Sequence, residues 1–208
     1  MRHSILNIAL AASCLFGLAG QTAMAAVDAS QYVELKDAVP QVVPGKIEVV
    51  ELFSYGCGHC YNLEASINPW AAKLPEDVNF VKLPAMFGGI WDVYGQLYLT
   101  LATMDAKPEV HHAVFEAIRG GNRLKTPEAM AELLKGQGIE PAKFLATYSS
   151  FAVQAKVMDA KKRTAAYQVT GVPSLVVDGK YRFGMTSDGA KGLFAVADQL
   201  IAQVRAAK

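Results

Sequence analysis

Two thiols stand close together in this 208-residue chain, Cys57 and Cys60, with Gly58 and His59 between them. A thiol pair at this spacing can cycle between dithiol and disulfide. It can also bind metal, carry haem or serve as a staple, so each chemistry has to be weighed. A staple gains stability from the loop it closes, and a bridge across two residues closes almost none. Zinc normally takes four ligands. The chain's only other cysteine is Cys14, and a site completed by His59, His111 and His112 would be unusual. Covalent haem attachment needs a histidine after the second cysteine, and residue 61 is Tyr. Redox exchange is the chemistry that this spacing serves best.

The elements around the pair strengthen that reading. Ile47–Tyr55 is apolar, β-branched and aromatic, the composition of a buried strand. It ends at Gly56. Leu63, Ile67, Trp70, Ala71 and Leu74 then recur at helical spacing, with Pro69 expected to kink the helix and Pro75 to mark its end. Val78–Leu83 reads as the next strand, which makes a β-α-β unit with a right-handed crossover. Cys57 thus falls at a strand-to-helix junction. The free N–H groups and positive dipole end of a helix stabilise an anion there, which lowers a thiol pKa. Cys57 is the expected nucleophile. Cys60, one turn on and more buried, is the expected resolving thiol. His59 can set an imidazole beside the Cys57 thiolate, and whatever favours the thiolate makes the disulfide a better oxidant.

Glu51 interrupts the apolar strand, and a buried carboxylate is costly unless paired or protonated. Lys82 in the next strand is its natural partner. Two orientations are open. Turned inward, the pair could carry protons for Cys60; turned outward, it is surface charge. A one-residue change of register decides between them.

The rest of the chain frames this unit. A short strand is expected at Tyr32–Leu35, before a turn containing Pro44-Gly45. Helical segments fill Asp92–Ala106, Pro108–Arg119, Thr126 to Gly136 or Gly138, Pro141–Ser149 and Phe151–Gln168. Strands return at Pro173–Val177 and Lys180–Phe183 around Asp178-Gly179, a hairpin signal, before a last helix over about 188–205. The fold class is α/β: a domain formed by residues 26–85 and 151–208, interrupted by an all-helical insert at 86–150. His111 and His112 read as helix surface, because adjacent helical residues point about 100° apart. Met86-Phe87-Gly88-Gly89-Ile90-Trp91 reads as packing between the two parts; the alternative is an exposed apolar patch that grips unfolded chains.

Residues 1–25 carry a basic Arg2, an apolar run from Ile5 to Gly20 and an Ala23-Met24-Ala25 cleavage site. They are expected to be a signal peptide, removed on export. Removal takes one Arg and no acid, so the chain goes from 20 basic and 19 acidic residues to 19 of each. It also takes Cys14, leaving only the Cys57–Cys60 pair in an oxidising compartment. A chain of zero formal charge with no basic run beyond Lys161-Lys162-Arg163 gives no sign of a nucleic-acid partner.

Glu-Leu-Phe-Ser-Tyr-Gly-Cys-Gly-His-Cys-Tyr at 51–61, Pro-Ala-Met-Phe-Gly-Gly at 84–89, the helical insert and Thr-Gly-Val-Pro-Ser at 170–174 together resemble the DsbA family of Gram-negative periplasmic disulfide oxidases. The resemblance spans essentially all of the chain after the signal. It implies a thioredoxin fold with an inserted helical domain and a periplasmic location. It implies Cys57 as nucleophile, Cys60 as resolving cysteine, His59 as thiolate stabiliser and Val172-Pro173 as a cis-proline step facing the dithiol. It also implies Glu51 and Lys82 as a buried pair, with Glu64 as a second carboxylate nearby. DsbA proteins are a standing example of a depressed thiolate pKa and an oxidising potential. The implied partners are reduced, newly exported polypeptides and a DsbB-type membrane quinone reductase that restores the disulfide. A monomer is expected, with no cofactor beyond the Cys57–Cys60 disulfide. The chain departs from the family at one position, where Gly58 replaces the usual proline. Gly-His is the dipeptide of protein disulfide isomerase, so a somewhat weaker oxidant is expected. An isomerase or reductase is the second reading, and a peptide-binding holdase the third.

Overall fold

The central strand explains why both faces of the sheet are covered. In the computed structural model, which describes residues 27–208, every residue of this strand, Ile47–Phe53, is buried. The expected signal peptide lies outside the described residues. Among the described residues four other strands complete the sheet. In chain order they are β1 (Val33–Glu34), β2 (the central strand), β3 (Val78–Pro84), β4 (Ser174–Val177) and β5 (Tyr181–Gly184). Their spatial order is β1-β5-β4-β2-β3. β2 runs parallel to β3 and antiparallel to β4, so both of its edges are paired.

Side chains alternate across β2. Ile47 and Val49 join the core beneath α1 (Gly58–Ala71) and α7 (Gly189–Ala207). Val50 and Leu52 join a second core with Val153, Val157 and Ala160 of α6 (Phe151–Ala166). The helices between, α2 (Ile90–Thr103), α3 (Pro108–Arg119), α4 (Pro127–Lys135) and α5 (Pro141–Tyr148), form the expected helical block. Its core receives Phe53, Tyr55 and Cys60 from the β2–α1 junction, so the reactive segment is packed between sheet and block.

Three of these helices start on Pro at the first position, where the missing N–H costs nothing. α1 runs through Pro69 to Ala71. Its apolar stripe is held down by Leu63 and Ile67 in the core and by Trp70, which stacks on Phe194 of α7 and donates to Asp198 at 3.0 Å.

Two expectations need correction. Met86–Trp91 does not behave as one unit: Met86 is buried against α6, whereas Phe87 and Ile90 are exposed. The His111-His112 pair is not wholly surface. His112 is exposed, but His111 faces inward against Tyr55. The reason is helix phase: His111 lies on the same stripe as Val114, Phe115 and Ile118.

Candidate active site

The turn Ser54–Gly56 delivers Cys57 to the first position outside α1, where it caps the helix. Its backbone is extended, with φ −97° and ψ 112°, and its sulfur accepts the Cys60 backbone N–H at 3.2 Å. A sulfur in this place is doing the work that a Ser or Asp oxygen does at other helix starts. Cys57 is half-buried and Cys60 fully buried, and both are free thiols.

The two thiols are driven apart in acidity. The Cys57 pKa is pulled down to about 6, chiefly by the hydrogen bond from the Cys60 thiol, with help from the backbone N–H groups of Cys60 and His59 and from the charge of His59; burial opposes the shift. Cys60 moves the opposite way, held far up by its bond to the Cys57 sulfur, by burial and by the Cys57 charge. One sulfur is a ready nucleophile and leaving group; the other needs a proton when it is released.

The Val172–Pro173 peptide is cis and faces the pair from the loop before β4. The Val172 carbonyl accepts from the Cys57 thiol at 3.5 Å. His59 is exposed and, with Val172 and Pro173, lines a groove of about 640 Å³. Gly58 is exposed and has open space around it.

Beneath the pair, Glu51 and Lys82 stand opposite each other in the parallel register of β2 and β3. Of the two orientations open to the sequence, the structure has the inward one. Glu51 is wholly buried, and neither carboxylate oxygen has a hydrogen bond. The Lys82 Nζ lies 3.6 Å away. Burial pushes the Glu51 pKa up to about 7 against the pull of Lys82. Lys82 also pairs with Glu64, which in turn accepts from Asn68 at 3.0 Å. Glu64, Asn68 and Lys82 line a second groove, of about 480 Å³. A buried acid poised near neutrality, linked through a lysine to an open groove, can pass a proton between solvent and Cys60.

Sequence reasoning missed two groups. The Tyr55 hydroxyl and His111 Nδ1 share a hydrogen bond at 2.5 Å, and burial pushes the His111 pKa down. The signal was present, in the α3 stripe. The second group is Glu48, buried on the opposite face of β2 from Glu51 and paired with Arg163, which also binds the Tyr167 hydroxyl. Those partners are 115 residues apart, and no local pattern joins them.

Comparison with known proteins decides the family. The description "DSBA-like thioredoxin domain" matches residues 93–201. The thiol:disulfide interchange protein DsbA of Pseudomonas syringae pv. tomato is 53% identical over 100% of this chain and 98% of its own length. The chain belongs to the DsbA family.

DsbA of Pseudomonas aeruginosa is 54% identical, over 100% of this chain and 99% of its own. Its crystal structure superposes with a TM-score of 0.83 at 56% identity, over 85% of this chain and 93% of that one. The oxidoreductase DsbA of Xylella fastidiosa superposes at 0.78 with 32% identity, over 85% of this chain and 96% of that one. The chain is therefore a thiol:disulfide oxidoreductase on a thioredoxin fold with inserted helices, and Cys57 and Cys60 are its C-x-x-C pair. Among the described residues no helix is long and apolar enough to cross a membrane.

Proposed function

We propose that this DsbA-family protein acts as a disulfide donor to reduced polypeptides exported to the periplasm. The observation that carries the reading is the split in acidity between the exposed-side and buried thiols. In the oxidised protein a substrate thiolate attacks the Cys57 sulfur. The Cys57–Cys60 bond breaks, and Cys60 leaves with the electron pair and takes a proton, for which Glu51 is the source. A second substrate thiolate attacks the substrate sulfur of the mixed disulfide. The substrate gains its disulfide, Cys57 leaves as a stabilised thiolate, and two electrons remain on the pair.

In this scheme His59 stabilises the departing Cys57 thiolate. Val172 and Pro173 present the face on which the substrate chain lies. Lys82 and Glu64 replenish the proton on Glu51 from the second groove. No cofactor beyond the cysteine pair is required. A DsbB-type membrane quinone reductase takes the two electrons, and the protein works as a monomer.

The test is stoichiometric. The oxidised protein is mixed with a reduced, unfolded polypeptide bearing two cysteines. The donor reading expects one substrate disulfide per reduced Cys57–Cys60 pair, and no activity in Cys57→Ser or in Cys60→Ser, since neither variant can hold the disulfide that is donated. If Cys57→Ser protects unfolded chains from aggregation as well as the parent, the protein is a holdase instead. If the reduced form reshuffles wrong disulfides faster than the oxidised form makes new ones, it is an isomerase.

A further inference from the structure

Arg182 lines the groove beside Cys57, and the proposed chemistry gives it no task. Its neighbours Tyr181 and Phe183 are buried in the core beneath α7. Strand alternation therefore sends Arg182 to the opposite face of β5. There it lines the groove shared with His59, Val172, Pro173 and the exposed Met185.

Two features set this arginine apart. It is half-buried, yet it makes no ion pair or side-chain hydrogen bond with any described residue. Buried Arg163, by contrast, is engaged by Glu48 and Tyr167, and even exposed Arg205 is held by Asp77. Among the described residues the groove walls hold no Asp or Glu, and Arg182 is their one fixed cation. A guanidinium offers five donors in a planar fork that fits a carboxylate. Left half-enclosed without an acceptor, it favours any visitor that brings one.

We propose that Arg182 is a specificity-determining residue that selects substrate segments carrying a carboxylate a few residues from the reacting cysteine. The carboxylate comes from an acidic side chain or from a chain terminus. This rests on the disulfide-donor reading and adds the substrate class. The ion pair forms outside the reacting atoms. It acts on capture of the substrate, so it appears in KM before kcat.

The test uses reduced cysteine peptides that differ only in Glu, Gln or Lys at successive positions on each side of the cysteine. All are amidated, and a parallel Gln set ends in a free carboxylate. Each rate of oxidation by the protein is divided by that peptide's rate with a small uncharged disulfide, which cancels the effect of Glu on cysteine acidity. At low salt, Glu is expected to lower KM about tenfold relative to Gln at one or two positions, the gain of one charge-assisted hydrogen-bonded pair. A preference confined to the free-terminus set names the chain end as the carboxylate. In Arg182→Gln the ratio falls to about one, and in Arg182→Glu the Lys peptides become preferred. Arg182→Lys keeps the charge without the fork and retains part of the preference. Equal KM for Glu and Gln peptides in the parent protein overturns the inference, as does a preference that survives in Arg182→Gln, which would belong to His59. If no peptide is oxidised at all, the donor reading fails, and this inference with it.

Discussion

The Cys57 sulfur accepts the backbone N–H of Cys60 at 3.2 Å, so the more acidic thiol of the pair is also the cap of the helix that carries it. Oxidation converts that anionic, hydrogen-bond-accepting cap into a neutral disulfide sulfur. The helix N-terminus therefore favours the reduced state. A pKa of about 6 in place of an ordinary thiol near 9 stabilises the reduced form at pH 7 by at most about 1.4 kcal/mol, or ~30 mV, and less after solvent screening of a half-buried sulfur. Titration of the thiolate's ultraviolet absorbance should give a midpoint near 6. His59→Ala should raise that midpoint and lower the redox potential together. A higher midpoint with an unchanged potential would separate the two and remove His59 from the account.

The sign of the pH dependence also follows. The folded Cys57 pKa is depressed, so the stability it lends the reduced protein is full above the unfolded value near 9 and is lost as pH falls through about 6. The oxidised protein has no such group. Denaturation midpoints of the two forms should diverge as pH rises from 6 towards 9, with the reduced form the more stable. Parallel curves over that range would contradict the assignment.

Glu51 contributes with the opposite slope. Its folded pKa is raised to about 7 from an ordinary 4.5, so its contribution is full below 4.5 and is lost as pH rises through 7, a swing of ~3 kcal/mol. Glu51→Gln should flatten this limb and stabilise the protein at pH 8. It should also slow formation of the mixed disulfide, since the proton source for the departing Cys60 is gone. Unchanged kinetics in a stabilised Glu51→Gln protein would make Glu51 a structural relic rather than a proton carrier.

Gly58 stands at the first position of α1, with its neighbour Cys57 in the extended conformation that a following proline requires. A β-carbon there meets nothing within 4 Å. Proline fixes the helix start and removes unfolded-state freedom, so Gly58→Pro should stabilise the fold by about 0.4–1 kcal/mol. By holding the His59 and Cys60 N–H groups on the sulfur it should also raise the potential. An unchanged or lower potential would mean that the dipeptide tunes the pair in some other way.

His111 is bonded to Tyr55 and its pKa is depressed by burial, so its contribution is lost as pH falls below the ordinary value of 6.5. His111→Phe should leave the buried Tyr55 hydroxyl without a partner and cost about 1–3 kcal/mol. Adding Tyr55→Phe should recover much of that cost, a coupling readable in a double-mutant cycle. Additive losses would show that the hydrogen bond contributes nothing.

How much of this could be read beforehand depended on the range of the interaction. The strand-to-helix junction at Cys57, the Asp178-Gly179 hairpin and the proline starts of the inserted helices are local, and each shows in a few adjacent residues. The partnership of Glu51 with Lys82 was legible because consecutive parallel strands lie side by side, but its inward direction was not, since one step of register reverses it. His111 was misread by treating adjacent histidines as a pair instead of tracing each along the α3 stripe. Glu48 with Arg163 depends on α6 packing against β2, and Arg182 in the groove of Cys57 depends on β4 pairing with β2 and β5 with β4, contacts across more than a hundred residues that local patterning does not encode.

The equilibrium potential of the Cys57–Cys60 pair against glutathione tests the central claim most directly. The account predicts a value well above the roughly −270 mV of thioredoxin and towards the oxidising end of the superfamily. A value in the thioredoxin range would contradict the disulfide-donor reading and leave a reductant on the same fold.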